Sequence, residues 1–227
     1  MNRILSVSLL LVVFGCTMPS SIGHDMKQTK LPSAETMQLP APAKKGKMSL
    51  EETLARRRSV REFTREPLTE QELSELLWAT QGITGPAGQR TAPSAGALYP
   101  LEIYVATASG FYHYEPHGHQ LSRRSDRDPR PAIFRASLEQ EAIREAAAVF
   151  VIAAVYERTA QKYGEARTPR YVHLEAGHAA QNLLLEAVSL GLGAVPIGAY
   201  YDAQIQKALS LPPDHEPLYL IPVGHPR

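Results

Sequence analysis

The pattern of apolar and polar positions divides the chain into three regimes. Residues 4–14 form an apolar run, introduced by Met1-Asn2-Arg3 and closed by Gly15-Cys16. A basic start followed by so short a run has the form of a secretory signal, since a spanning helix needs about 20 apolar residues. From Thr17 to about Lys47 neither a helical nor a strand period is present. Pro19, Pro32, Pro40 and Pro42, among Ser, Thr and Lys, predict a flexible tether over residues 17–47. Regular periodicity begins at Met48, so residues 48–227 are read as one folded domain.

Within that domain Ser49-Leu50-Glu51-Glu52 is a capping box, opening a helix that runs to about Arg58. Thr69-Glu70-Gln71-Glu72 repeats the signal ahead of a helix with Leu73, Leu76, Leu77 and Trp78 on one face. Residues 82–97 are punctuated by Gly82, Gly85, Pro86, Gly88, Pro93 and Gly96, which predicts a long loop of the kind that usually carries function. Leu101 to Ala108 and Phe111 to Glu115 read as strands joined at Ser109-Gly110. The charge run from Arg123 to Asp128 reads as a solvated loop. Pro131 to Ala147 reads as one helix, Val149 to Tyr156 as a buried strand, and Thr168 to Leu190 as a long helix capped by Gly191. Ala194 to Ile197 is a short extended segment, Asp202 caps a helix through Leu209, and Leu218 to Val223 is the last strand. Strands and helices do not alternate regularly and one hairpin is plain, so the fold class is α+β.

Composition narrows the function. Lys and Arg number 24 against 23 Asp and Glu, and the resulting charge of +1 argues against nucleic acid as a partner. A single cysteine excludes a disulfide framework and multi-thiolate metal sites. That cysteine, Cys16, stands where the leader ends, an arrangement that resembles the lipobox of bacterial lipoproteins. It predicts a signal peptide over 1–16, membrane attachment through a lipidated Cys16, and a place in the bacterial cell envelope.

Three segments carry chemistry. Arg57-Arg58-Ser59-Val60-Arg61 sets three guanidiniums and a hydroxyl within five residues, a set able to surround a phosphate or simply to cap a helix end. The small residues of Pro93-Ser94-Ala95-Gly96-Ala97 allow backbone to approach a flat ligand. Gly191 to Ala199 offers a dry surface and backbone N–H groups but little for acid–base work. Together they describe a site for a flat, phosphate-bearing cofactor that brings its own chemistry.

The order R-R-S-x-R, P-S-A-G-A-L-Y-P, E-A-G-H-A-A-Q-N-L from Glu175, G-L-G-A-V-P-I-G and P-V-G-H-P resembles the FMN-dependent nitroreductase superfamily. More narrowly it resembles the SagB-type dehydrogenase branch, which includes azoline-oxidising enzymes of peptide tailoring. The resemblance implies a sandwich with a mostly antiparallel sheet flanked by helices, and an intertwined homodimer with FMN at its interface. It implies a flavin N5 hydride transfer of the ping-pong kind, with a small molecule or peptide as substrate. Arg57, Arg58, Ser59 and Arg61 would hold phosphate and ribityl chain, and Pro93, Ser94 and Ala95 would reach the other subunit's flavin. Pro196, Ile197 and Gly198 would lie along the ring, with Arg227 as the basic residue after the last strand. Lys162-Tyr163 stands where the azoline-oxidising members carry a proton-removing pair. His113, His117 and His119 cluster without suggesting a metal site, on a turn read as exposed. An exported domain lies apart from NAD(P)H, which favours an organic substrate or a membrane quinol as electron source. The alternatives are azoline-type peptide dehydrogenation and a flavin-free envelope binding protein on the same fold.

Overall fold

The most apolar segment of the chain becomes the central strand. In the computed structural model, which describes residues 35–227, every residue of β5 (Ala148–Ala154) is buried. Strand β5 pairs antiparallel with β2 (Leu101–Thr107) on one side and β7 (Glu216–Gly224) on the other. Outside β2 lie β3 (Gly110–Glu115), β4 (Gln120–Ser125) and the edge strand β1 (Thr36–Gln38); β6 (Gly193–Ala194) closes the opposite edge. All pairings of this seven-stranded sheet are antiparallel.

Alternation along β5 splits the core in two. Phe150 and Ile152 face a layer containing α2 (Glu70–Gln81) and α6 (Thr168–Ser189), with Leu76, Leu77, Val172 and Leu183. Val149 and Val151 face α3 (Arg130–Ala136), α4 (Glu141–Glu145) and α7 (Asp202–Ala208), with Ile133, Ile143 and Ile205. Burying each such side chain is worth about 1.5–3 kcal/mol before entropy is counted. The α+β expectation, with a mostly antiparallel sheet flanked by helices, therefore holds.

At the helix starts, Thr69 and Glu72 form the full reciprocal cap, the Thr69 N–H donating to Glu72 Oε2 at 2.7 Å. Ahead of α1 (Leu50–Arg56) only half of the box forms: Ser49 Oγ accepts from the Glu52 N–H at 3.2 Å. Asp202 lies inside the first turn of α7, and Tyr201 takes the capping position.

Four further expectations need correction. The segment expected as one helix over 131–147 is two, because Leu138 (φ 58°) and Glu139 (φ 53°) are left-handed and end α3 without a glycine. Tyr156 does not close a strand but opens α5 (Tyr156–Tyr163), which sequence periodicity missed. The Arg123-Arg124 pair lies within β4; a strand with Leu121 as its one large apolar residue shows no period of two. The fourth concerns the domain start. Thr36–Gln38 pairs with β4 and Leu39 is buried, so the folded domain begins before Met48. Three residues are too few to show a period, which is why this edge was legible only in three dimensions. The signal-like run, Cys16 and the first part of the expected tether lie outside the described residues.

A partly buried hydrogen-bonded chain pins this edge. Ser74 Oγ donates to the Pro40 carbonyl at 2.6 Å and so accepts from His119 Nε2 at 2.7 Å, leaving His119 Nδ1 to accept from Tyr114 OH at 2.8 Å. The chain requires a neutral imidazole, and burial lowers the His119 pKa accordingly. At the other edge, Val60 N–H donates to the Ala194 carbonyl at 3.1 Å, and Ser59 bridges Ala194 in parallel. Gly193 permits this approach, since a Cβ there would stand 2.6 Å from Val60 Cγ1.

Two outcomes follow. Gly193→Ala is expected to cost about 1–3 kcal/mol in urea unfolding by overpacking, and Val60→Ala on the same background to recover part of it. The unfolded imidazole, with its pKa near 6.5, takes up a proton more readily than folded His119. Its contribution to stability is thus fully present above about pH 6.5 and is lost as pH falls from there through the lower folded value. Unfolding at pH 7.5 and 5.5 is expected to show a smaller pH difference for His119→Ala than for the wild type.

Candidate functional site

Two groups of the expected residues come together, each within itself. The first is built where α1 ends. Arg57 N–H closes the helix on the Thr53 carbonyl at 2.9 Å, and the chain then runs extended beside β6. Arg58, Ser59 and Arg61 are exposed and Arg57 half-buried. Among the described residues none of the three guanidiniums has a carboxylate partner. Arg58 turns back on the Ala55 and Arg57 carbonyls at 3.0 and 2.7 Å. Next along the β6 side, Ile197 exchanges backbone hydrogen bonds with Leu220 at 2.8 and 3.0 Å, which holds Pro196 and Gly198 extended. Gly198 is exposed, and a Cβ there would meet nothing within 4 Å. Uncompensated guanidiniums thus share one ribbon with open, side-chain-free backbone, a donor set that fits a phosphate-bearing flat ring.

The second group surrounds the short 3₁₀ turn Ala95–Ala97. Gly96 has φ 62°, and a Cβ on it would stand 2.8 Å from Lys162 Nζ and 3.1 Å from Tyr163 OH. The Lys-Tyr pair at the end of α5 therefore faces the turn directly, with Lys162 exposed and Tyr163 half-buried. Pro93 is exposed, while Ser94 and Ala95 are half-buried. Ser94 Oγ accepts the Tyr99 N–H at 2.9 Å. Arg90 lies over the Tyr99 ring, 4.5 Å from its centroid, and Arg158 donates to the Tyr99 carbonyl at 3.0 Å.

Behind this turn stand charged groups that the motif reading did not single out. Glu102 on β2 pairs with Arg158 and His113. Burial alone would raise its pKa, but the His113 hydrogen bond and the Arg158 guanidinium hold it at about 2. Glu175 is buried on α6, and desolvation pushes its pKa up to about 7 against the pull of Ser94, Gln81 and Arg90. Burial likewise lowers the Arg90 pKa. The signal for Glu175 was legible, since it shares a helix stripe with Val172, Ala176 and Ala179 where an apolar residue belongs.

Arg227 joins the arginine segment through its backbone, its N–H donating to the Glu62 carbonyl, next to Arg61, at 3.2 Å. It lines a polar cavity of about 480 Å³ with Arg65, Arg130, Arg144 and Glu145, where Arg57, Arg58 and Arg61 take no part. Its guanidinium donates to the Phe63 carbonyl at 3.0 Å and to Glu145 at 3.4 Å. The three clustered histidines separate in role: His113 binds Glu102, His119 joins Tyr114 to Ser74, and His117 is exposed.

A model of the nitroreductase family matches residues 54–225. A candidate nitroreductase of Methanocaldococcus jannaschii is 45% identical over 196 residues, spanning 84% of this chain and 97% of that protein. The trifolitoxin-processing protein of Rhizobium leguminosarum bv. trifolii is 28% identical over 149 residues, 57% of this chain and 38% of that protein. Among solved structures, a candidate nitroreductase from Ralstonia eutropha JMP134 superposes with a TM-score of 0.77 at 33% identity, over 86% of this chain and 91% of that one. The NADPH:FMN oxidoreductase of Vibrio harveyi, solved with NAD+, superposes with a TM-score of 0.59 at 26% identity, over 78% and 68%. Sequence and fold agree from α1 to the end of β7, and the chain belongs to the nitroreductase family of oxidoreductases.

Proposed function

We propose that this chain is an FMN-dependent oxidoreductase that acts as a homodimer. The observation that carries the reading is the union of Arg57, Arg58, Ser59 and Arg61 with the Ala194–Gly198 backbone on one edge of the sheet. The guanidiniums and the Ser59 hydroxyl would bind phosphate and ribityl oxygens, as paired N–H donors match them. Pro196, Ile197 and Gly198 would shield one face of the ring from water and offer it backbone rather than side chains. FMN, when bound, supplies hydride transfer at its N5 in alternating half-reactions with a donor and an acceptor. Arg227, whose N–H donates to the Glu62 carbonyl beside Arg61 and whose guanidinium donates to Phe63 and Glu145, would add a further cation at that end of the cradle.

No hydrogen bond among the described residues joins the cradle to the Pro93–Ala97 turn. In a dimer, Pro93, Ser94 and Ala95 would enter the site of a second copy, and the substrate would lie between the turn and the ring. A second reading is favoured by Lys162 and Tyr163 facing Gly96. An amine and a phenol at the substrate side suit proton removal during dehydrogenation of an azoline-type peptide substrate, the chemistry of the SagB-type branch. The name of the trifolitoxin-processing relative accords with peptide maturation. We further propose that the domain is exported and tethered to the envelope through a lipidated Cys16, drawing electrons from an organic substrate or a membrane quinol.

Two experiments test these readings. The purified chain, mixed with FMN and desalted, is expected to keep flavin absorption bands. Arg57→Ala with Arg61→Ala is expected to weaken FMN binding at least about tenfold, since each charge-assisted bond contributes about 1.5–3 kcal/mol. A chain that stays colourless would leave the flavin-free binding protein as the better account. Cys16→Ser is expected to move the protein from the membrane to the soluble fraction and to abolish incorporation of labelled fatty acid. Unchanged membrane association without label in the wild type would remove the anchor from the proposal.

A further inference from the structure

Two cavities adjoin where β2 ends and β5 begins. The first, of about 320 Å³, opens between the start of α2 and the outer strands. Its wall is mainly apolar: Leu68 just ahead of α2, Leu73 within it, Val105 of β2, Tyr112 of β3 and Leu121 of β4. The second is the polar cavity of about 480 Å³ that holds Arg144, Arg227 and Glu145. Arg65, Arg130 and Ala147 line both, so the two spaces share one wall. Each volume falls in the range of about 300–1,000 Å³ usual for small-molecule sites.

That shared wall is rich in donors. Arg130 is fixed: its Nη1 donates to the Ala146 and Ala147 carbonyls at 2.8 and 3.1 Å, while Nε and Nη2 donate to Asp128 at 2.9 and 2.7 Å. A guanidinium has five N–H groups, so one N–H of Arg130 Nη2 is left without a partner among the described residues. Arg65 is exposed and has no carboxylate partner among the described residues. Of the two carboxylates in the linings, Glu145 already accepts from the Phe63 N–H and from Arg227, each at 3.4 Å, and Glu70 is exposed.

A ligand that fits brings acceptors to the shared wall and hydrocarbon to the first cavity. A bare anion would leave the apolar side to water that finds few polar partners there. An uncharged hydrocarbon would desolvate the guanidiniums with no exchange. An oxyanion joined to an apolar chain satisfies both, because Arg N–H groups match paired oxygens. We propose that the two cavities form one site for an amphiphilic oxyanion, an alkyl phosphate or a long-chain carboxylate, with its head group on Arg65 and Arg130 and its chain along the apolar wall. Fatty acids and lysophosphatidic acids belong to this class. The site is distinct from the flavin cradle, since none of Arg57, Arg58, Ser59 and Arg61 lines either cavity.

The test is calorimetric titration of the purified chain with octyl phosphate, inorganic phosphate and octyl glucoside, each with and without saturating FMN. Octyl phosphate is expected to bind at least about tenfold more tightly than the other two, and equally well in both conditions. Arg65→Ala is expected to weaken octyl phosphate about tenfold and to leave octyl glucoside unchanged. Ala108→Trp fills the apolar cavity from an exposed position on its rim. It is expected to reduce octyl phosphate to the affinity of inorganic phosphate, with the wild-type circular dichroism retained. Equal binding of octyl phosphate and either control would overturn the proposal, as would unchanged binding by Arg65→Ala. Competition from FMN would overturn it too, by placing the anion in the arginine cradle. All these outcomes leave the flavin reading standing, because FMN binding is read separately from its own absorption bands.

Discussion

Seven consecutive uncharged residues, Ala148–Ala154, pass through the middle of the molecule with both faces buried. A strand so placed has to be covered twice, and both layers of helices follow from that requirement. Because every side chain of β5 is packed, its register with β2 and β7 is tightly set: a slip of one residue would exchange the two cores. That register places the end of β7 beside β6, and β6 receives the extended Ser59-Val60 segment. The arginine cradle therefore stands on the sheet, and its precision comes from the core rather than from the short helix before it.

The same frame handles charge in two ways. At the surface edge, Arg57, Arg58 and Arg61 find no carboxylate among the described residues, so their attraction for an anion is not spent within the chain. Behind the Pro93–Ala97 turn the charges are partly buried and paired. Glu102 holds Arg158 and His113, Arg158 holds the Tyr99 carbonyl, and Arg90 donates to Gln81 while lying over the Tyr99 ring. Buried polar groups left unmatched are costly, and networks of this kind commonly confer positional specificity rather than stability. Here the network fixes Tyr99 and Ser94, the two ends of a turn whose left-handed residues Gly96, Ala97 and Tyr99 could not hold their conformation unaided.

Much of this was readable from local pattern. The Thr69–Glu72 cap, the apolar run of β5, the 101–115 hairpin and the long α6 stopped by Gly191 each depend on neighbours within a few positions. Other features depend on distant partners. The α3–α4 break rests on left-handed Leu138 and Glu139, residues that no local rule places there. Strand β4 carries two arginines and is recognisable only beside β3 and β1, and β1 is three residues long.

The candidate site divides along the same line. The sequence by itself determined its chemistry, because three arginines and a serine within five residues, and small residues in two loops, are properties of short segments. It also placed Lys162 and Tyr163 next to each other. Only the tertiary structure decided which segments meet: Ser59 with Ala194, Gly96 with Lys162 and Tyr163, Glu175 with Gln81, and Arg227 with Glu62, Phe63 and Glu145. Composition and spacing carry the donors and acceptors a segment can offer. Which of them remain free for a ligand depends on contacts between residues tens of positions apart, and those are set by how the two cores close around β5.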